Sequence, residues 1–266
     1  MSFRLLHISD THFGTTRPAV LAALQNHVKA HGANLLVVSG DLTQRARRRQ
    51  FAAAADYLRT LEGLGIHQRL IIPGNHDLPL FNLLARFLTP YGNYQRHFGD
   101  ELEPVFANDQ LLVIGLNTTA PKRHKNGLVS DQQIEQVAAR LALAAPWQTR
   151  ILVAHQPFGS REPGNLADIQ INAHRALQRW AEAGLDLVMG GHLHLPYVLP
   201  LNRQYPDLAR PIWIVQCGTT LSSRRRHGQP NSLNRLTIKG RGQVQVEQWD
   251  FHQDAFVLVK QSELNG

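Results

Sequence analysis

The chain has 266 residues, of which 43% are hydrophobic, and 28 Lys and Arg against 20 Asp and Glu give a formal net charge of +8. No apolar run approaches the roughly 20 residues that span a bilayer, and no signal-like segment opens the chain. The single cysteine, Cys217, excludes an intramolecular disulfide and a cysteine-based zinc site. We therefore expect a cytoplasmic protein without a membrane partner.

Short apolar segments alternate with amphipathic segments through the first half of the chain, which is typical of an α/β protein. The patterns predict strands at 5–8, 35–38 and 69–72, and helices at 18–31 and 45–64. Segment 78–100 is predicted to form a short apolar helix followed by an aromatic loop, which covers one side of the site described below.

The second half continues the alternation. Further strands are predicted at 105–106, 111–116, 151–154, 185–189, 212–216, 236–238 and 244–251, with helices at 130–145 and 173–183. The intervening loops are 157–168 and 218–234. No repeat, low-complexity linker or change of composition divides the chain, so we expect one domain over residues 1–266.

Polar side chains that can bind metals or transfer protons follow five of the predicted strands. They are Asp10 and His12, Asp41, Asn75 with His76 and Asp77, His155, and His192 with His194. Each alone could be a helix cap, a turn residue or a core histidine. Ligand sites of α/β sheets lie off the carboxyl ends of the strands, so we expect these side chains to converge. Carboxylate, amide and imidazole donors without thiolate suit Mn, Fe, Zn or Co.

The turn 73–77, Pro-Gly-Asn-His-Asp, concentrates three of these donors. We expect Gly74 to have a positive φ, which a side chain would strain. The amide of Asn75 can supply a ligand oxygen, His76 can donate a proton, and the Asp77 carboxylate can orient that donor.

Taken in order, Asp10-x-His12, Gly40-Asp41, the turn 74–77, His155 and Gly191-His192-x-His194 resemble the calcineurin-like metallophosphoesterases. The segments 40–43 and 73–77, and the loop 218–234, are similar to the bacterial class III cyclic-nucleotide phosphodiesterase branch. The resemblance implies an α/β/β/α sandwich of four layers with two central mixed β-sheets and a metal site at the carboxyl ends of the strands.

By motif position, the resemblance also implies two divalent or trivalent metal ions, Mn, Fe or Zn. Asp10, His12 and His194 would hold the first, Asn75, His155 and His192 the second, and Asp41 would bridge them. One departure is visible, because Gln156 stands where many relatives have a second histidine. The departure bears on substrate contacts rather than on metal binding.

The expected activity is hydrolysis of small phosphate diesters, with 3′,5′-cyclic nucleotides as one candidate substrate. Two cations about 3.5–4 Å apart lower the pKa of a bridging water that attacks phosphorus. His76 would be the general acid, oriented by Asp77 or Asp10, and Asn75 and His76 would contact the phosphate.

A phosphomonoesterase and a nuclease are alternatives that use the same metal core, and a basic chain suits a nuclease, although nucleic acid is not the favoured partner. A non-catalytic interaction scaffold of the same fold is disfavoured, because all seven candidate ligands and His76 are present. The sequence leaves open the native metal, the oligomeric state and whether Arg224, Arg225 and Arg226 contact substrate.

Overall fold

The computed structural model describes residues 2–265, which form twelve strands and six α-helices. The strands are β1 (Phe3–Ile8), β2 (Leu35–Ser39), β3 (Gln68–Ile72), β4 (Val105–Ala107), β5 (Leu111–Leu116), β6 (Thr149–Ala154), β7 (Leu187–Gly190), β8 (Tyr197–Pro200), β9 (Trp213–Gln216), β10 (Ser232–Gly240), β11 (Gln243–His252) and β12 (Ala255–Asn265). The helices are α1 (Pro18–His31), α2 (Arg48–Gly63), α3 (Leu83–Leu88), α4 (Gly92–Phe98), α5 (Asp131–Ala142) and α6 (Ala173–Glu182).

The strands form two mixed sheets of six. The first has the order β12-β11-β10-β1-β2-β3, and the second has the order β4-β5-β6-β7-β9-β8. Within the first sheet β1, β2 and β3 are parallel, and within the second β5, β6, β7 and β9 are parallel. The parallel strands of both sheets are nearly continuous apolar runs, as expected for strands that are covered on both faces.

Three apolar clusters define the layers. Leu5, Val37 and Leu70 of the first sheet belong to a cluster that fills the space between the sheets, together with Val113 and Ile151 of the second. A second cluster packs α1 and α2 on the outer face of the first sheet, and a third packs α5 and α6 on the outer face of the second. The predicted α/β/β/α sandwich of four layers is therefore confirmed.

Three elements differ from the sequence-based prediction. Residues 92–98, predicted as loop, form α4, whose Tyr94 is buried and donates a hydrogen bond to the carbonyl of Ile71. Strands β8 and β12 were not predicted. Most side chains of β12 are exposed, so its sequence lacks the apolar alternation that marks a half-buried strand.

Residues 2–265 include no helix with the length and apolar character needed to cross a membrane.

Candidate metal centre

The candidate site lies where parallel strands of both sheets end. Asp10 and His12 follow β1, Asp41 follows β2, and Asn75 follows β3 of the first sheet. The second sheet contributes three histidines, of which His155 follows β6 and His192 and His194 follow β7. The structure thus brings all seven predicted ligands to one edge of the sandwich.

Four of the seven form a first cluster, in which one donor atom from each of Asp10, His12, Asp41 and His194 lies within 4.8 Å of the others. His194 Nε2 is 3.1 Å from Asp10 Oδ1 and 3.2 Å from His12 Nε2. His12 Nε2 is also 3.7 Å from Asp41 Oδ2. This is a set of two imidazoles and two carboxylates around one small volume.

A second cluster adjoins the first. His155 Nε2 lies 3.2 Å from Asn75 Oδ1 and 3.3 Å from Asp41 Oδ1, and His192 Nδ1 lies 3.0 Å from the same Asn75 oxygen. Asp41 therefore turns Oδ2 towards the first cluster and Oδ1 towards the second. That arrangement is what a carboxylate bridging two cations requires.

The hydrogen bonds of the histidines test whether a metal fits. His194 Nδ1 contacts the carbonyl of Arg224 at 2.7 Å, and His155 Nδ1 contacts the carbonyl of Ser39 at 2.8 Å. Because a carbonyl only accepts, both Nδ1 atoms must donate, which leaves an Nε2 lone pair on each neutral ring pointing into the clusters. Lone pairs and carboxylate oxygens at these separations repel one another unless a metal cation or a proton lies between them.

Three buried atoms of the cluster residues lack a hydrogen-bond partner within residues 2–265, namely Asp10 Oδ1, His12 Nδ1 and His192 Nε2. Native proteins seldom leave such atoms unpaired. The Asp10 oxygen faces the first cluster, where a cation would complete its coordination. The donor set and its orphaned oxygen thus fit the metal ions that the sequence predicts.

The electrostatics of the pocket also favour positive charge. Burial lowers the pKa of His155, but its contact with Asp41 outweighs burial and raises that pKa to about 9. Burial lowers the pKa of His12 and of His192 to about 3, so both rings are neutral and can act as ligands. Burial would raise the pKa of Asp10, yet its contact with His194 holds that pKa below its usual range.

The backbone is strained where it carries these ligands. Within residues 2–265, ten non-glycine residues have positive φ, and five of them are candidate ligands: Asp10, His12, Asp41, His192 and His194. Such strain costs about 1–3 kcal/mol per residue and concentrates at functional sites. The strand ends are therefore shaped to aim ligands at a common centre.

The backbone conformation of Gly74 differs from the sequence-based prediction. Its φ is −109° and its ψ is −179°, which is extended backbone rather than the predicted positive φ. The position still requires glycine, because a Cβ there would meet the backbone nitrogen and carboxylate of Asp41 at 2.2 Å. Gly74 is thus needed for a close approach of two loops.

Asp77 also differs from the prediction, because it does not contact the His76 ring. Its buried carboxylate accepts hydrogen bonds from the backbone N–H groups of Leu42, Thr43 and Gly74 and from the Thr43 hydroxyl, at 2.8–3.0 Å. Burial and the Asp41 charge raise the pKa of Asp77 to about 7, against these four donors. Asp77 joins the turn after β2 to the turn after β3, and so it positions Asp41 and Asn75.

The His76 ring is oriented by Gln44 and not, as predicted, by Asp77 or Asp10. His76 Nδ1 lies 3.0 Å from the Gln44 carbonyl, and Arg224 Nη1 lies 3.1 Å from His76 Nε2. The His76 backbone N–H donates to Asp41 Oδ1 at 2.8 Å. The Asp10 carboxylate instead accepts from the Ser9 hydroxyl and the His192 N–H.

A cavity of about 510 Å³ opens over the two clusters. Four Lys and Arg side chains line it, Lys125, Arg224, Arg225 and Arg226, and His124 lines it as well. Lys125 pairs with Asp168, whereas Arg226 is held by the carbonyl of Leu193 and the amide oxygen of Asn165. The excess of positive charge suits an anionic substrate.

Gln156, which replaces the histidine of many relatives, points away from this cavity. It is buried, accepts from the Thr118 hydroxyl at 2.6 Å and donates to the Lys125 carbonyl at 3.2 Å. Gln156 therefore fixes the loop that carries Lys125, and Lys125 lines the cavity.

Sequence reasoning predicted a loop at 218–234 and left open whether its three arginines contact substrate; the structure places Arg224 in the cavity beside His76. The Arg224 carbonyl orients His194 while its guanidinium reaches His76. The loop is braced by Asn231, which donates to the carbonyls of Thr219 and Ser222. The Ser-Ser-Arg-Arg-Arg and Asn-Ser-Leu-Asn segments were the visible signal, but their spacing alone does not show which arginine faces the ligands.

A family model described as calcineurin-like phosphoesterase matches residues 3–196, a range that holds all seven candidate ligands. The chain belongs to the calcineurin-like phosphoesterase family. It is a member of a hydrolase family whose donor set, together with the clusters described above, suggests a dinuclear site for divalent metal ions.

Relatives of this calcineurin-like phosphoesterase agree with the assignment. A protein of Rhodococcus erythropolis (strain PR4 / NBRC 100887), named as a probable cyclic nucleotide phosphodiesterase, is 27% identical over an alignment of 208 positions that covers 71% of this chain and 64% of that protein. The chain thus spans less than two thirds of the length of this relative.

Two solved phosphatases share the fold of this family member. The purple acid phosphatase from yellow lupin (Lupinus luteus) seeds has a TM-score of 0.75 and 12% identity, covering 100% of this chain and 54% of that one. A dimetal phosphatase from Danio rerio has a TM-score of 0.68 and 12% identity, covering 99% and 98%. At these identities the likeness concerns the fold alone.

Proposed function

We propose that this protein is a dinuclear metal-dependent phosphodiesterase that acts on small phosphate diesters. The observation that carries the proposal is the bridging position of Asp41, whose two oxygens face two separate ligand clusters. The clusters would hold Mn, Fe or Zn, which accept imidazole, carboxylate and amide donors alike. When bound, the two ions would supply an activated water and neutralise charge developing on phosphorus.

The residues of the chain supply the remaining steps. Asp10, His12 and His194 would bind one ion and Asn75, His155 and His192 the other. The Arg224 guanidinium, held over His76 in the cavity, would bind a phosphoryl oxygen and orient the diester. His76 would then donate a proton from Nε2 to the leaving alkoxide, which is a poor leaving group without it.

The preference for diesters has two supports. The Rhodococcus relative is named as a probable cyclic nucleotide phosphodiesterase, which makes 3′,5′-cyclic nucleotides one candidate substrate. A positioned acid beside the metal ligands also suits an alkoxide leaving group. A phosphomonoesterase remains the second candidate, because the same ligand clusters would serve it.

A nuclease is favoured by one observation, the basic lining of the cavity. Binding of a polyanion releases counterions, so nuclease activity would fall steeply as salt rises, whereas turnover of a small diester would change little. A non-catalytic scaffold is disfavoured, because the structure brings all seven ligands together and keeps His76 beside them.

The test is hydrolysis by metal-stripped protein reconstituted with Mn²⁺. Three substrates are compared in parallel: 3′,5′-cyclic AMP, an aryl phosphate diester and the matching aryl monoester. We expect metal-dependent turnover that is faster on the diesters than on the monoester. A preference for the monoester would make the protein a phosphatase, and no turnover with two ions bound per chain would contradict the enzymatic proposal.

A further inference from the structure

Helix α3 (Leu83–Leu88) and the residues before it expose their apolar side chains and bury their charged one. Five large apolar side chains between 81 and 88 are 56–77% exposed: Phe81, Leu83, Leu84, Phe87 and Leu88. The one charged residue of this helix, Arg86, is only 2% exposed. Surface helices ordinarily bury their apolar face and expose their charges. We call residues 81–88 the apolar ridge.

The ridge is held in this orientation by Arg86. Its guanidinium donates to the carbonyls of Pro79, Pro121 and Arg123 at 2.7–2.8 Å, which ties the helix to the loop 119–125. Asn82 caps the helix by accepting from the Ala85 N–H. The outward direction of the leucines and phenylalanines is therefore fixed by specific contacts.

Basic residues surround the ridge and acidic residues are absent from its flanks in sequence. Segments 42–55, 78–99 and 118–130 contain no Asp or Glu. They carry eight exposed Lys and Arg residues: Arg45, Arg47, Arg48, Arg49, Arg96, Lys122, Arg123 and Lys125. The segments meet in space, because the Arg45 guanidinium lies 5.2 Å from the centre of the Phe81 ring and Arg86 reaches the Arg123 carbonyl.

The ridge begins at the mouth of the candidate site. A small cavity next to His76 is lined by Leu78 and Leu80, which lead directly into the ridge, and by Arg45 and His124. A surface that received the ridge would therefore stand against the entrance to the catalytic residues.

We propose that the apolar ridge and its basic flanks dock onto an anionic phospholipid surface and present the site to phosphate esters carried by amphiphilic molecules in that surface. The inference deepens the proposed function and rests on it for the second part. Exposed leucine and phenylalanine side chains enter the boundary between headgroups and acyl chains, while flanking Lys and Arg bind anionic headgroups. The expectation of no membrane partner was based on the lack of a spanning segment, which does not bear on binding at the surface.

Charge decides between this partner and two others. A second copy docked through the same patch about a twofold axis would bring two basic rims together, which like-charge repulsion disfavours. Nucleic acid would suit the charges, but the ridge offers mainly leucines, whereas single-stranded bases stack on aromatic platforms. An anionic bilayer satisfies both the apolar and the basic component.

The binding test uses the full chain and needs no turnover. Cosedimentation is measured with vesicles of phosphatidylcholine alone and of phosphatidylcholine mixed equally with phosphatidylglycerol. Variants are Leu84→Asp with Phe87→Asp on the ridge, and Arg48→Glu with Arg49→Glu on its flank. Leu143→Asp is the matched control, since Leu143 is 87% exposed beyond the end of α5. Far-ultraviolet circular dichroism verifies that each variant is folded.

We expect the wild type and Leu143→Asp to bind the anionic vesicles, and each double variant to bind at least about tenfold more weakly. Equal binding by the ridge variant, or no binding by the wild type, would overturn the proposal. Light scattering supplies a third outcome. A wild-type dimer that the ridge variant converts to monomer would show that the face joins two copies, which also overturns it.

Hydrolysis assays distinguish a failure of the docking proposal from a failure of the proposed function. With a water-soluble aryl diester, the ridge variant should turn over as the wild type does. With an amphiphilic phosphate diester embedded in anionic vesicles, its rate should fall in proportion to lost binding. Vesicle binding without hydrolysis of any ester would contradict the proposed function alone, and hydrolysis without vesicle binding would contradict the docking alone.

Discussion

The two contacts of the His76 ring determine which of its nitrogens carries a proton. Nδ1 must donate to the Gln44 carbonyl, so Nε2 of the neutral ring accepts from Arg224. Proton donation from Nε2 therefore requires the doubly protonated ring. In the proposed mechanism, an arriving phosphate would compete with His76 Nε2 for the guanidinium of Arg224.

The first prediction concerns His76→Ala. We expect the variant to retain its metal ions, because the ligands are other residues, and to lose about 10²–10⁴-fold in turnover of the aryl diester. Metal content by atomic absorption and steady-state kinetics check this. His124→Ala, which removes another histidine from the same cavity, is the control. Near-wild-type turnover by the His76 variant would remove that residue from the mechanism.

The second prediction concerns Arg224→Met. A charged hydrogen bond contributes about 1.5–3 kcal/mol, so kcat/KM for the diester should fall about 10- to 100-fold. Metal binding should persist, because His194 is oriented by the backbone carbonyl and not by the guanidinium. Arg225→Met, at the exposed neighbouring position, should have a smaller effect. Unchanged kcat/KM in the Arg224 variant would contradict the assigned role.

At the scale of elements, apolar patterning predicted the parallel strands and the four long helices, because both faces of those strands and one face of each helix are buried. The seven candidate ligands could be found for the same reason, since each follows a strand that the apolar pattern predicts. β12 was missed because exposure removes its pattern, and α4 because its aromatic residues resembled a loop. The contacts of Gln44 with His76, and of Arg224 with His76 and His194, depend on tertiary packing, which sequence spacing does not encode.

The third prediction concerns Arg86→Met, which removes the side chain that fixes α3 to the neighbouring loop. Removing the guanidinium leaves three carbonyls without a donor, and each such loss costs about 1–3 kcal/mol when the group stays buried. We expect a lower free energy of unfolding in urea. Arg96→Met, at an exposed position on α4, is the control. A stability equal to that of the wild type would show that water replaces the guanidinium and that the ridge is held by other contacts.

At the scale of the whole molecule, candidate ligands from both sheets meet at one edge of the sandwich, so the site joins the two sheets. Binding of metal to the native state alone stabilises it by about 2.7 kcal/mol when the free ion is at a hundred times its dissociation constant. The fourth prediction is that Mn²⁺ raises the unfolding temperature of metal-stripped protein by several degrees, measured by calorimetry. Asp41→Asn should abolish most of the rise. If Mn²⁺ did not change the unfolding temperature of the wild type, the proposed metal site would be contradicted.

The fifth prediction concerns pH. Burial, and to a smaller extent the charges of Arg235 and His31, lower the pKa of His27 to about 3. Its Nε2 lies 3.5 Å from the Arg235 guanidinium. Trp249 and Phe256 pack against the His27 ring. In the unfolded state His27 binds a proton with a pKa of 6.5, whereas in the folded state it stays neutral until the pH approaches about 3. Stability is therefore complete above about pH 6.5 and falls as the pH decreases towards 3, by about 1.4 kcal/mol per pH unit for this group.

Urea unfolding between pH 7 and 4.5 measures that slope, and His27→Gln should make it shallower. His67→Gln, at an exposed position, is the control and should leave the slope unchanged. An equal slope in the His27 variant and the wild type would assign the acid sensitivity to other groups.

Strand β1 lies between β2 and β10, and its residue His7 pairs with Asn234. The backbone of Ser9, beside the ligand Asp10, is likewise hydrogen-bonded to Thr220. On the ribosome the first three ligand-bearing turns emerge long before these partners are synthesised, and contacts so distant in sequence form late. A nascent chain would therefore carry Asp10, His12, Asp41 and Asn75 without the framework that aims them, and metal loading would follow the completion of both sheets.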